Sequence, residues 1–208
     1  LMNTNNEVEL VGRVDMRDMN MFSTYGEDLY RINIITTRYS GRQDIVPVVI
    51  PERLWNHNRL SNGQDIKIIG QYRTNKHDSY VLALIVDEDD LLSFGADVNS
   101  IYLKGTIINR PRVTVSYTGK KFAIVKLKVD RNIKMYENCR CIAWNDIAEI
   151  VSKSGIGTNI WLEGRLQSRT FINDSKPNRT IREVSIHHMG VEKYDRNKGC
   201  IRSYGTGV

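Results

Sequence analysis

The sequence predicts an all-β fold of two tandem five-stranded Greek-key barrels, each with a short helix between its third and fourth strands. Three observations carry this: a repeat covering nearly the whole chain, period-2 alternation in the repeated segments, and one helix-like segment per copy. Self-similarity at a long fixed offset is the mark of a duplicated unit. "NEVELVGRV" (Asn6–Val14) matches "NSIYLKGTI" (Asn99–Ile107) at an offset of 93, and both runs lead to a glycine, Gly12 or Gly105. "YRINIITTR" (Tyr30–Arg38) matches "FAIVKLKVDR" (Phe122–Arg131). Asp44–Tyr72 aligns without a gap on Asn138–Leu166 at offset 94, pairing Val48 with Ile142, Ile66 with Ile160, Ile68 with Leu162 and Gly70 with Gly164. "YVLALIVDE" (Tyr80–Glu88) corresponds loosely to "REVSIHHMG" (Arg182–Gly190).

Each copy therefore reads strand, strand, strand, short helix, strand, strand. In the second strand of copy two, Ile124, Lys126 and Lys128 share one face, and Val125, Leu127 and Val129 share the other, the alternation of a half-buried strand. In "CRCIAWNDIAEI", Cys139 and Cys141 share one face while Arg140 and Ile142 share the opposite one. The copy-two helix is expected over Asp146–Ser154, with Asn145 or Asp146 as N-cap, apolar Ile147, Ile150 and Val151 on one side, and a stop at Gly155. In copy one Pro51 is expected at the first helical position, with Leu54 and Trp55 toward the core. This layout is that of the OB-fold. The expected organisation is a barrel over 1–90, a linker over 91–98 in the acidic, Ser- and Gly-containing stretch Asp87–Val98, a second barrel over 99–193, and a loose basic tail over 194–208.

Composition bounds the function. With 208 residues, 40% hydrophobic and 26% charged, the chain is typical of a globular protein. It has no apolar run of about 18 residues that would suggest a membrane span, and Leu1–Glu9 does not look like a signal peptide. Three cysteines do not make a disulfide framework, which favours a reducing cytoplasm. The net charge of +6 is divided unequally. Residues 1–97 hold 10 basic and 15 acidic residues, whereas residues 98–208 hold 20 and 9. A basic half beside an acidic one points to a polyanion on one half only. An enzyme would need converging groups, but His57, His77, His187 and His188 are scattered, and no phosphate-loop, zinc-helix or nucleophile-elbow pattern occurs. The Cys139/Cys141 pair lacks the partners of a metal site. No cofactor and no metal is expected.

Three segments resemble the bacterial single-stranded DNA-binding protein family. "YLKGTIINRPRV" (Tyr102–Val113) is similar to the family's first strand and the proline-containing turn after it. "CIAWNDIAEIV" (Cys141–Val151) is similar to its third strand, aromatic and helix. "GTNIWLEGRLQSRTF" (Gly157–Phe171) resembles its fourth strand. The resemblance spans about residues 99–190. It implies sequence-independent binding of single-stranded DNA in replication, recombination or repair, by base stacking on aromatics beside a basic groove. Trp144 and Phe171 fall where the family places stacking aromatics, and Tyr117 lies on a turn that can carry another. The expected phosphate contacts are Arg112, Lys120, Lys121, Lys126, Lys128, Arg131, Lys134, Arg140, Arg165, Arg169, Arg179 and Arg182. Trp161 is left unassigned, with polar neighbours two residues either side.

Copy one departs from this pattern: Ile50 stands opposite Trp144 in the alignment and His77 near Phe171. Its loop aromatics Phe22, Tyr25 and Tyr39 are open to DNA contact or to packing. Copy one is thus expected to build the assembly or meet a protein partner. The resemblance implies a homodimer with four OB-folds, in the cytoplasm near the nucleoid, chromosomal or carried by a phage or plasmid. The acidic tail through which the family recruits replication and repair proteins has no counterpart in the closing "GCIRSYGTGV". An accessory module of a replication complex, or a binder of single-stranded RNA, would use many of the same residues.

Overall fold

A computed structural model of the chain describes residues 5–24, 26–76, 78–88, 96–173, 176–195 and 200–205, with backbone alone for 171–173, 176–179, 193–195 and 200–205. The chain falls into two compact units. One comprises residues 7–100 and 166–182, the other residues 1–6, 101–165 and 183–208.

The first unit holds β1 (Asn6–Thr24), β2 (Glu27–Thr37), β3 (Gln43–Pro51), α1 (Glu52–Asn58), β4 (Asp65–Thr74) and β5 (Ser79–Asp87). β1 pairs antiparallel with β2 and β4, β2 with β3, and β4 with β5, while β3 and β5 run parallel. These pairings close a cycle of five strands, the OB-fold barrel. Alternation delivers Val8, Leu10, Ile32, Ile34, Val46, Val48, Ile50, Ile66, Ile68, Val81 and Ala83 to a mainly apolar interior, whose burial drives closure at about 25 cal/mol per Å².

The second unit contains β6 (Val98–Ile107, entering at Ile101), β7 (Thr114–Val115), β8 (Lys121–Asp130), β9 (Tyr136–Trp144), α2 (Asn145–Ser152), β10 (Asn159–Asn173), β11 (Lys176–Asp195) and β12 (Cys200–Gly205). β6 pairs with β8 and β10, β8 with β9, β10 with β11, and β9 runs parallel to β11. The same five-strand cycle results. Its interior is Leu103, Ile107, Ala123, Val125, Leu127, Val129, Cys139, Cys141, Ala143, Ile160, Leu162 and Val184, and α2 adds Ala148 and Val151. Gly12 and Gly105 occupy matching corners. A Cβ at Gly12 would strike the Ile35 carbonyl, and one at Gly105 the Lys128 carbonyl, which explains why both copies keep a glycine where two strands cross so closely.

Several expectations change in detail. α2 begins at Asn145 and ends at Ser152, with Trp144 as N-cap in extended conformation. Asn145 itself has φ 48°, a left-handed conformation that asparagine tolerates better than most residues, and it turns the strand sharply into the helix. Pro51 likewise precedes α1 as its N-cap at ψ 147° and is not its first residue. Leu54 and Trp55 are only half-buried, and the Trp55 ring stacks on Tyr30 at 4.5 Å. The tail over Cys200–Gly205, expected to be loose, pairs antiparallel with Gly190–Asp195.

The largest correction concerns the repeat alignment. Leu29 pairs with Pro51, and Phe122 pairs with Trp144. The true counterpart of Trp144 is therefore Pro51, not Ile50. The offset is 93 at the helix starts, Glu52 and Asn145, and 94 from the helix ends, Asn58 and Ser152, into β4 and β10, where Gly12 faces Ile66 and Gly105 faces Ile160. The extra residue lies in α2, which is eight residues long against seven for α1. A one-residue slip inverts which face each side chain occupies, so the ungapped alignment assigned β3 the wrong face.

Candidate nucleic-acid interface

β8 and β9 share one face directed away from the barrel interior, on which Ile142 alone is fully buried. Its cross-strand pairs are Phe122 with Trp144, Ile124 with Ile142, Lys126 with Arg140, Lys128 with Asn138 and Asp130 with Tyr136. From Tyr136 to Trp144 this face runs roughly 26 Å at about 3.3 Å per residue. Aromatics stand at both ends and cations lie between them. The Trp144 ring lies 5.6 Å from Phe122, tilted at 47°, and is half-buried. Phe122 braces one side of the indole, a geometry typical of aromatic pairs. At the far end the Lys128 ammonium lies 5.0 Å over the Tyr136 ring, a cation–π arrangement.

The cations are not equivalent. Lys126 is exposed and has no ion pair among the described residues. Lys128 lies 3.2 Å from Asp130. Arg140 Nε donates to Glu183 Oε2 at 3.1 Å, and the Glu183 side chain is fully buried. Arg131 Nε donates to Glu137 Oε1 at 2.9 Å, again onto a carboxylate 1% exposed. Lys121 Nζ meets Glu149 Oε1 at 2.5 Å. This hydrogen bond raises the Lys121 pKa and lowers that of Glu149. Arg131 and Arg140 thus neutralise buried carboxylates, work that their sequence neighbours do not reveal.

Arg112 is exposed in the segment between β6 and β7, and Lys134 is exposed at the β8–β9 turn. Tyr117 is wholly exposed, at 102%, on the β7–β8 turn. Arg165 and Arg169 are half-buried on β10, and each is already engaged by a neighbouring group. Arg182 Nη1 donates to Asp78 Oδ1 at 2.9 Å, and Asp78 also holds Arg31 at 2.6 Å. The backbone of Phe171 lies in β10. The side chains of Phe171 and Arg179, and the whole of Tyr25 and His77, lie outside the described residues.

The matching outer face of β2 and β3 is chemically different. Its pairs are Leu29 with Pro51, Arg31 with Val49, Asn33 with Pro47 and Ile35 with Ile45. Proline replaces both Trp144 and Arg140, leucine replaces Phe122, and asparagine replaces Lys126. Phe22, expected on a loop, belongs to β1 opposite Leu29 and is 40% exposed. Tyr39 is wholly exposed, at 103%.

Burial pushes the Cys141 thiol far above its ordinary range, and Cys139 is buried beside it on the interior face. Among the described residues no group of His, Cys, Asp and Glu could hold a metal, and no helix is long and apolar enough to cross a membrane. Phe122 and Tyr136 were not among the residues expected from sequence. The register of β8 against β9 would have found them, since each lies on the face already marked by Lys126 and Arg140.

Residues 98–191 match the model of the Single-strand binding protein family. No curated protein matches the chain. Among solved structures, a deletion mutant of the single-stranded DNA binding protein from Thermus aquaticus is similar at TM-score 0.69 and 22% identity, covering 91% of this chain and 95% of that one. The wild-type protein from the same organism is similar at TM-score 0.69 and 21% identity, covering 88% and 91%. At that identity the likeness speaks for the fold.

Proposed function

We propose that the chain is a member of the single-strand binding protein family, whose model matches residues 98–191, and that its β8–β9 outer face is where it grips single-stranded DNA. One observation carries this reading: Trp144 braced by Phe122, in line with Lys126, Arg140 and Lys128 on a single strand-pair face. Stacking on Trp144 gives affinity without sequence preference, because every base offers a π-face, at about 1–3 kcal/mol per base. Lys126 supplies a free phosphate contact. Lys128, Lys134 and Arg112 extend the basic track, and Phe171 and Tyr117 add stacking surfaces. Arg140 and Arg131 act mainly by fixing the face, and Lys121, Arg165 and Arg169 reach DNA only by leaving present partners. The chain is a binding protein, not an enzyme.

Two tandem OB-folds best account for the repeated five-strand cycle, with residues 1–90 as the assembly barrel, 91–98 as linker, 99–193 as the DNA-binding barrel and 194–208 as the tail. The lack of counterparts to Trp144, Lys126 and Arg140 on β2–β3 supports an assembly role for the first barrel, and a homodimer would bring four barrels together. Service in replication, recombination and repair, in a bacterial cytoplasm, follows from the same reading.

The test is a titration of the full chain with poly-dT, followed by tryptophan fluorescence at two salt concentrations. Saturable quenching that weakens in Trp144→Ala supports the proposal. Unchanged affinity in Trp144→Ala, or a duplex or folded RNA that outcompetes poly-dT at equal salt, overturns it.

A further inference from the structure

Two non-glycine residues among those described have a positive φ, Arg59 at 45° and Asn145 at 48°. Arg59 has an ordinary reason. It caps the C-terminal end of α1 at φ 45° and ψ 47°, and its N–H donates to the Trp55 carbonyl at 3.3 Å, a common way for a helix to close. Asn145 stands at the opposite kind of place. It is the first residue of α2, where a helical chain has negative φ. The left-handed region crowds Cβ against the backbone, and only glycine enters it freely.

The junction in copy one shows that the fold does not require this turn. There α1 begins at Glu52, after an extended residue that likewise offers no side-chain cap, and Glu52 is not left-handed. Nor does the Asn145 amide explain it, since that side chain is exposed and makes no hydrogen bond among the described residues. What differs between the two junctions is the residue before them. Pro51 is buried at the end of β3, whereas Trp144 at the end of β9 is only half-buried, its ring 5.6 Å from Phe122. The chain after β9 must turn inward, because Ala148 and Val151 of α2 are fully buried. It must do so without carrying the indole with it. Trp144 in extended conformation, at φ −119° and ψ 149°, followed at once by a left-handed residue, meets both demands. The chain changes direction within one residue, and the ring stays on the face that it shares with Phe122.

We infer that Asn145 is a positioning residue for Trp144: its left-handed backbone holds the indole half out of the barrel, braced by Phe122 on one side and open to a base on the other. The inference rests on the reading of Trp144 as a stacking residue. It adds that stacking depends on the backbone conformation of the next residue and not on that residue's amide.

The test replaces Asn145 in the full chain and measures affinity for poly-dT. Asn145→Gly should bind as wild type does, because glycine enters the left-handed region without steric cost. Asn145→Val should weaken binding by about fivefold or more, because a β-branched residue is an outlier there. If the valine variant does not fold, Asn145→Ala carries the same comparison with a loss of about threefold. Two readouts separate positioning from general damage. In a Trp144→Ala background the Asn145 substitution should change affinity no further, because residues that act through one ring are not additive. In protein labelled with fluorotryptophan, the Trp144 fluorine resonance, assigned by its absence in Trp144→Phe, should move in Asn145→Val and return in Asn145→Gly. The inference is overturned if a folded Asn145→Val binds as tightly as wild type, or if it loses as much affinity in the Trp144→Ala background as outside it. If Trp144→Ala alone binds poly-dT as well as wild type, the underlying stacking reading fails instead.

Discussion

Trp144 sits between two tasks. Its half-buried ring packs on Phe122, yet its open side is available to a base. Trp144→Ala should therefore lose about 1–3 kcal/mol of DNA affinity, and Trp144→Phe should retain most of it. Circular dichroism beside the titration separates this loss from unfolding. Cys139 and Cys141 behave in the opposite way. They share the interior face of β9 and are buried, and Cys141 has its thiol pKa pushed up by desolvation, so neither is a reactive thiolate. A thiol reagent added to folded protein should leave both unmodified and label them only after denaturation. Labelling of Cys141 in the native state would contradict its placement. Lys121 and Glu149 give a third test. Glu149 titrates below its ordinary value because Lys121 bonds to it. The pair's stabilising contribution is therefore present above the unfolded carboxylate pKa and fades as pH falls through the lower folded one. Lys121→Met should raise the Glu149 pKa, read by NMR. Glu149→Gln frees Lys121 and should steepen the salt slope of DNA binding by up to about 0.7, one phosphate contact.

At the scale of elements, the β8–β9 hairpin is held by ion pairs that look like binding residues in the sequence. Arg131 bonds to Glu137 across the turn, and Arg38 bonds to Asp44 across the β2–β3 turn, 93 positions earlier in both partners. A cation facing a carboxylate 1% exposed is costly to remove. Arg131→Ala should cost about 3 kcal/mol of stability, seen as a lower urea midpoint, whereas Lys134→Ala at the exposed tip should change stability by less than about 0.5 kcal/mol. Equal effects would contradict the distinction. Alternation alone correctly placed Lys126 and Lys128 on one face and Cys139 and Cys141 on the other, because period 2 is intrinsic to a strand. The same alternation puts Glu137 on the buried face with Cys139 and Cys141, but it could not show that Glu183 is buried, since a strand pattern records side but not what lies above it. Nor could it locate the residue added in α2, because one more residue in a short helix leaves the strand alternation on either side intact.

For the whole molecule, the sequence repeat was legible because Gly12 and Gly105, Gly70 and Gly164 mark corresponding close strand crossings. The five-strand cycle follows from those crossings and from alternating apolar runs. What the repeat hid was the divergence of the two outer faces. The aromatic and cationic face of β8–β9 becomes proline, leucine and asparagine on β2–β3. The central claim is that Trp144 and its neighbouring cations hold single strands by stacking and charge together. The most direct measurement is the fluorescence-monitored affinity of the full chain for poly-dT, wild type against Trp144→Ala and Lys126→Ala, across a salt series. The account predicts a large affinity loss with little change of salt slope for Trp144→Ala, and a slope shallower by about 0.7 for Lys126→Ala. Identical affinities and slopes for all three proteins would contradict it.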